Sequence, residues 1–258
     1  MHYLNPKNHF LFYLVFDKRK HLCISLINSM LPLEKPIIDI EYQTGEQIPE
    51  LKRVLYTTLV SVRCTDSDNR QFIVNIQLYT SASFKYMIAL DASKPNAVQL
   101  RNTPEFELHQ PVYALCFLTD DFLGTREKSP KMKDEYCHYY NVVNFKDSGK
   151  QIEGLVFLYI ELSKFKPQNR TQSNAEAKKM QELWLRFLTE IDEDTTEAPK
   201  DLLDNEITRE AVGYLEKYTL TKEQLNSYYR YKIDAMTERA MLDEAFEKGK
   251  KLGLPKKC

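Results

Sequence analysis

Val54 to Tyr79, VLYTTLVSVRCTDSDNRQFIVNIQLY, constrains the fold more than any other stretch of this chain. Side chains alternate between the two faces of a strand, so residues two apart share a face. Val54, Tyr56, Thr58, Val60, Val62 and Cys64 form one face of the first run. Phe72, Val74, Ile76 and Leu78 form one face of the second, and Asn75, Gln77 and Tyr79 point the other way with Ile73. The polar residues Asp66 to Arg70 between the runs make the pair a hairpin. A three-residue loop at 67–69 sets Ser61 opposite Asn75; a two-residue loop sets it opposite Ile76. The register decides whether a polar site exists.

The chain has 258 residues, 43% hydrophobic and 28% charged, enough for one core of ordinary size and an accessory segment. Its net charge of −1 makes nucleic-acid binding a matter of local patches. Five cysteines at 23, 64, 116, 137 and 258 form no C-x-x-C pair, which implies reduced thiols in a cytoplasmic setting and no structural zinc. The apolar run Phe10–Phe16 is too short for a signal peptide or a membrane span.

Along the chain, helical spacing from Asn8 to Met30 implies one helix, or two broken near Lys18. In Ile37–Gln43, Ile38 and Ile40 alternate with Asp39 and Glu41, giving a strand with one acidic face. Ser81–Asp91 reads as a helix. Val112–Leu118 is apolar throughout, as in a strand buried on both faces. Thr119–Asp134 reads as a charged loop. Tyr136–Phe145 and Ile152–Leu162 flank Asp147–Lys150, a second hairpin with its turn there. After Ser173 the pattern is helical: Ala175–Glu190, Leu202–Tyr218 and Glu223 to about Leu252, with an acidic linker at Glu190–Glu197. The whole is an α/β core at about 1–170 with a helical C-terminal region at 171–258.

The succession FLFYLVFDKRKHLCISLINSML, IIDIEYQ, LVSVRCTDSDNRQFIVNIQ, SFKYMIALDASK, PVYALCFL, FLYIELSKF and ELWLRFL, with the tail EAFEKGKKLG, resembles the Rpn-type recombination-promoting nuclease and transposase family of bacteria, part of the PD-(D/E)XK nuclease superfamily. The order and spacing of these segments over about residues 8–190 carry the resemblance. It implies a mixed β-sheet flanked by helices, a restriction-endonuclease-like core, and, in active members, Mg²⁺-dependent DNA cleavage. The family's aspartate position falls on Ser61, its glutamate position on Asn75 and its final glutamine or lysine on Gln77. An acid expected near the first helix falls at Asn8 or His9. Only Gln77 fits the pattern.

Phosphodiester hydrolysis of this kind uses Mg²⁺ held by anionic oxygens, and serine and asparagine supply none. Asp39 and Glu41 are candidates for displaced acids, as are Asp66 and Asp68; otherwise the first pair is the solvated face of an edge strand and the second caps a turn. Arg53, Arg63, Arg70 and Lys85 are candidate phosphate contacts, and Lys248, Lys250, Lys251, Lys256 and Lys257 form a second basic strip. Ser61 has no identifiable base, and the five histidines show no metal-ligand spacing. Seven glycines supply neither a P-loop nor a dinucleotide-binding turn. The functional classes in view are a nuclease, a DNA-binding relative without cleavage, and a regulatory protein pairing with itself or with a related family member. Tyr228, Tyr229 and Tyr231 are expected to pack the last helix on its neighbours or on another copy.

Overall fold

The N-terminal apolar run breaks in two at Lys18, whose φ of 62° lies in the left-handed region. The computed structural model describes residues 2–43, 60–79, 111–119, 135–144, 146–167 and 176–251. Val54–Leu59, the helix expected at Ser81–Asp91, most of the loop expected at Thr119–Asp134, and Arg53, Lys85, Lys256 and Lys257 lie outside them. Helix α1, His9–Phe16, starts where Asn8 accepts from the backbone N–H groups of Phe10 and Leu11. The Arg19 guanidinium closes its other end by donating to the Leu14 carbonyl, and it lies 3.8 Å from the centre of the Tyr214 ring. Helix α2, Lys20–Met30, buries Leu22, Cys23, Leu26, Ile27 and Met30, a stripe at helical period.

Six strands form one mixed sheet. In chain order they are β1 (Ile37–Tyr42), β2 (Val60–Asp66), β3 (Gln71–Tyr79), β4 (Val112–Leu118), β5 (Cys137–Asn144) and β6 (Asp147–Glu161). Their spatial order is β1-β2-β3-β4-β6-β5. The first three are antiparallel, β4 runs parallel to both β3 and β6, and β5 returns antiparallel to β6. The apolar run at β4 is therefore a central strand, and six of its seven residues are buried.

Two strand expectations need correction. An irregularity in the β1–β2 ladder between Ile37 and Asp39 turns Ile38 outward, 58% exposed, so Ile37 and Ile40 are the buried pair. In the second hairpin Asn144 pairs with Asp147, so Asp147–Lys150 opens β6 and the turn comes before it. Asn144 supports that turn by accepting from the Lys146 N–H.

The helical region comprises α3 (Glu176–Glu190), α4 (Lys200–Asp204), α5 (Glu206–Gly213) and α6 (Lys222–Lys251). The run expected as one helix from Leu202 to Tyr218 breaks at Asn205, whose backbone is extended and whose side chain caps α5 by accepting from the Thr208 N–H. The acidic linker is held by Arg186, which donates to both Glu190 oxygens at 2.9 Å and to Asp201 at 2.8 Å.

One face of the sheet packs on α1, α2 and the C-terminal helices. Val62, Cys64, Val74, Ile76, Leu115, Phe117, Leu158 and Ile160 meet Phe12, Phe16, Trp184 and Phe187 in a single apolar cluster. Phe12 lies 6.0 Å from Phe117, and Trp184 lies 5.4 Å from Phe16 and 5.5 Å from Phe187, ring centre to ring centre. The N-terminus is tied to the helical region by the Leu4 N–H, which donates to the Leu215 carbonyl at 2.9 Å. Among the described residues, no helix is long and apolar enough to cross a membrane.

Candidate active site

The β2–β3 loop has three residues, 67–69, and closes because Asn69 takes a φ of 61°. Ser61 therefore stands opposite Asn75, and its hydroxyl donates to Asn75 Oδ1 at 2.8 Å. Asn75 and Gln77 are both buried, and Gln77 Oε1 accepts from the Cys116 thiol at 3.3 Å. Their side chains point away from the helical core. The register continues this face from Asn75 to Ala114, Phe157 and Tyr140, and from Gln77 to Cys116, Tyr159 and His138. Buried Asn75, Gln77, Cys116 and His138 make this a polar seam, with half-buried Phe157 and Tyr159 and exposed Tyr140 beside them.

At its far end sits an acid that sequence reasoning missed. Glu161 closes β6, is fully buried, and pairs in register with Leu118 at the C-terminal end of β4. Its Oε2 accepts from His138 Nε2 at 3.0 Å and from Lys164 Nζ at 2.6 Å. His138 Nδ1 is buried and has no hydrogen-bond partner. The Lys164 ammonium offsets the carboxylate charge, so the group is a compensated pair with an imidazole attached. The signal was present as one acid at the end of the apolar run GLVFLYIEL with a lysine three residues on; a buried acid requires a partner. The histidine could not be matched to it locally, because its contact crosses from β5 to β6.

Residues 6–245 match a family model described as PD-(D/E)XK nuclease family transposase. The chain belongs to that family. No curated protein and no solved structure matches it. The mixed sheet with helices packed on it is the restriction-endonuclease-like architecture that the family carries.

In this PD-(D/E)XK family member, Ser61, Asn75 and Gln77, the candidates named from the sequence resemblance, lie on one face of the hairpin and bring no carboxylate together. Their oxygens are already engaged with each other and with Cys116. That donor set does not fit Mg²⁺, which takes anionic oxygens in octahedral array. Asn8 and His9 belong to the helical layer, on the opposite side of the sheet from Ser61. Among the described residues, no three histidine, cysteine or acidic side chains are grouped to hold a metal.

The other acids have separate structural work. Asp39 accepts from Lys20 Nζ at 2.8 Å, and that hydrogen bond holds its carboxyl below the usual range. Glu41 lies 3.7 Å from Arg63. Both are exposed on the edge strand β1, directed away from one another's use as ligands by these cations. Asp66 is the turn residue: its Oδ1 accepts from the N–H groups of Asp68 and Arg70, and its Oδ2 from Arg70 Nε at 2.8 Å. Burial works to raise its pKa, and these hydrogen bonds outweigh burial and lower it. Asp68 lies 3.8 Å from Lys35.

Of the basic candidates, Arg63 shares the face of Ser61 and keeps its Nε buried without a partner. Arg70 is committed to Asp66 and lies 3.5 Å from Glu34. Lys248 pairs with Glu244 at 2.6 Å on α6, and Lys250 and Lys251 are exposed. Tyr228 is buried against the N-terminus, where its hydroxyl accepts from the Asn5 N–H, and Tyr231 stacks on Phe10; Tyr229 is 41% exposed.

Proposed function

We propose that this chain acts on DNA as a PD-(D/E)XK transposase-family protein whose metal-dependent cleavage at the β2–β3 hairpin has been lost. The observation that carries this reading is the 2.8 Å hydrogen bond from Ser61 to Asn75. The two positions where the family holds its metal with acids are here closed on each other by a neutral contact. Two carboxylates at this spacing would repel and draw a cation between them; a hydroxyl and an amide satisfy each other and leave no charge to neutralise. Arg63 on the same face supplies a phosphate contact, and Arg53 and Lys85 are further candidates by sequence alone, so binding survives without hydrolysis.

The test is the double substitution Ser61→Asp with Asn75→Glu. It should create Mg²⁺ binding, read by calorimetry, and Mg²⁺-dependent nicking of supercoiled DNA, while the wild type binds DNA with steep salt dependence and does not nick it. Mg²⁺-dependent nicking by the wild type would overturn the reading. A second reading, pairing with another copy or an intact family member, is supported by the exposed Ile233, Met236 and Met241 on α6, each more than 60% accessible. Light scattering of the purified chain tests it; a strict monomer that recovers no family member would count against it.

A further inference from the structure

Where the start of α1 meets the middle of α6, a groove of about 200 Å³ opens between the two helices. Asn5, Lys7, Glu193, Tyr228, Tyr231 and Lys232 line it. Its acid is already engaged: Glu193 Oε1 accepts from the Tyr228 hydroxyl at 2.5 Å and from Lys232 Nζ at 2.7 Å. Asp192, the next acid along, accepts through Oδ1 from the Asp194 N–H and the Thr195 hydroxyl. The donors are less well matched. Lys7 uses only its backbone N–H, given to Asn5 Oδ1 at 2.9 Å, and its ammonium has no hydrogen-bond or ion-pair partner among the described residues. Asn5 spends its Oδ1 on that contact, and its Nδ2 donates to nothing there. Burial lowers the Lys7 pKa, and Asp192 and Glu193 only partly counter this.

We propose that this groove binds a phosphoryl group, with the Lys7 ammonium and the Asn5 amide as its donors. The Lys7 ammonium carries three donors and no acceptor capacity of its own, and at its half-buried position water or the oxygens of a bound anion complete its hydrogen bonds. Lys232 is paired with Glu193, and Asp192 and Glu193 act on Lys7 only through space, so the unpaired Lys7 ammonium, rather than net charge, is what an anion would meet. The donors are a point charge and a single amide rather than a planar guanidinium fork, an arrangement suited to tetrahedral oxygens. The volume admits a phosphate with part of a sugar and is below the usual range for a whole drug-sized ligand. Tyr231, stacked on Phe10 with ring centres 6.1 Å apart, forms an aromatic wall at the edge, where a terminal nucleotide can lie. Inorganic phosphate and the terminal phosphate of a DNA strand share this chemistry. The groove lies in the helical layer and uses no residue of the hairpin, so it stands or falls separately from the cleavage reading.

The experiment is acetylation of the full chain, read residue by residue by mass spectrometry, with exposed Lys250 as the internal reference. Inorganic phosphate at ten times its dissociation constant and matched ionic strength should slow Lys7 modification by about tenfold and leave Lys250 unchanged. A 5′-phosphorylated oligonucleotide is then compared with its 5′-hydroxyl counterpart. Protection by the phosphorylated strand alone, or by it and inorganic phosphate, assigns the groove to a DNA end; protection by inorganic phosphate alone assigns it to the free ion. Lys7→Ala should abolish the rise in melting temperature that the protecting species produces, and Lys7→Arg should keep part of it. Equal Lys7 labelling in every condition overturns the proposal.

Discussion

Along β4, Leu115 and Phe117 point into the helical core while Ala114 and Cys116 point into the polar seam, and all four are fully buried. At this central strand the two faces are buried to the same extent, and they differ in the chemistry that lies beside them. On the helical face, contacts among Phe12, Phe16, Phe117 and Trp184 are non-directional, and their value scales with area and volume. On the other face each group depends on a particular partner: Ser61 on Asn75, Cys116 on Gln77, Glu161 on His138 and Lys164. An apolar face loses stability in proportion to what is cut away. A polar face loses it in steps, whenever one partner of a pair is removed and the other stays.

The largest effect should fall on the helical face. Trp184 is fully buried, packed on two phenylalanines, with Nε1 donating to the Ser25 hydroxyl at 3.1 Å, so Trp184→Ala should cost about 3–5 kcal/mol in denaturant unfolding. A cost no larger than that of a surface substitution would show that the helical layer is not what holds the sheet. Next comes Glu161→Gln, which keeps shape but removes the charge that Lys164 and His138 face. It should cost about 1.5–3 kcal/mol, and adding Lys164→Met to it should return part of that loss. Additive losses in that cycle would mean that the two side chains act independently.

Asp66 sharpens the comparison at the boundary between the faces. Its pKa is lowered in the folded protein, so it contributes stability that is present above the unfolded carboxyl value, about 4, and lost as pH falls through the lower folded value. Asp66→Asn should therefore be less stable than wild type at neutral pH, and the gap should close as pH drops below about 4. A gap independent of pH would assign its role to turn geometry alone.

How much of this was legible depended on whether the cause was local. The apolar run at β4 could be read, and the break near Lys18 stood as one of two alternatives, because burial and backbone conformation leave their mark within a few residues. The hairpin register was legible only as two alternatives, since loop length turns on whether Asn69 adopts a positive φ. Ile38 was misplaced because a ladder irregularity overrides strict alternation, and the second turn was misplaced because Asp147–Lys150 has turn chemistry but pairs as strand. The Glu161 group was invisible to spacing rules, as its histidine comes from a neighbouring strand and its lysine follows the strand's end. Ser61 and Asn75 were singled out through resemblance, and the geometry added that they touch.

The smallest effect bears most directly on the hairpin. Ser61→Ala removes the donor to Asn75 Oδ1 at a half-buried position that a water can reach, so it should cost about 1 kcal/mol. Asn75→Leu alone buries an apolar side chain against an unpaired hydroxyl and should cost about the same or more. The double variant Ser61→Ala with Asn75→Leu removes both partners together, and replacing a satisfied polar pair by apolar groups of similar size is close to neutral. Its unfolding free energy should then lie nearer the wild type than the sum of the single losses. If the double loss equals the sum instead, the contact is incidental, and the polarity of this face is maintained by something other than the Ser61–Asn75 pair. DNA binding by the same double variant separates the two roles of the hairpin, because on the reading above affinity rests on Arg63 and its basic neighbours and should not change when the neutral pair is removed.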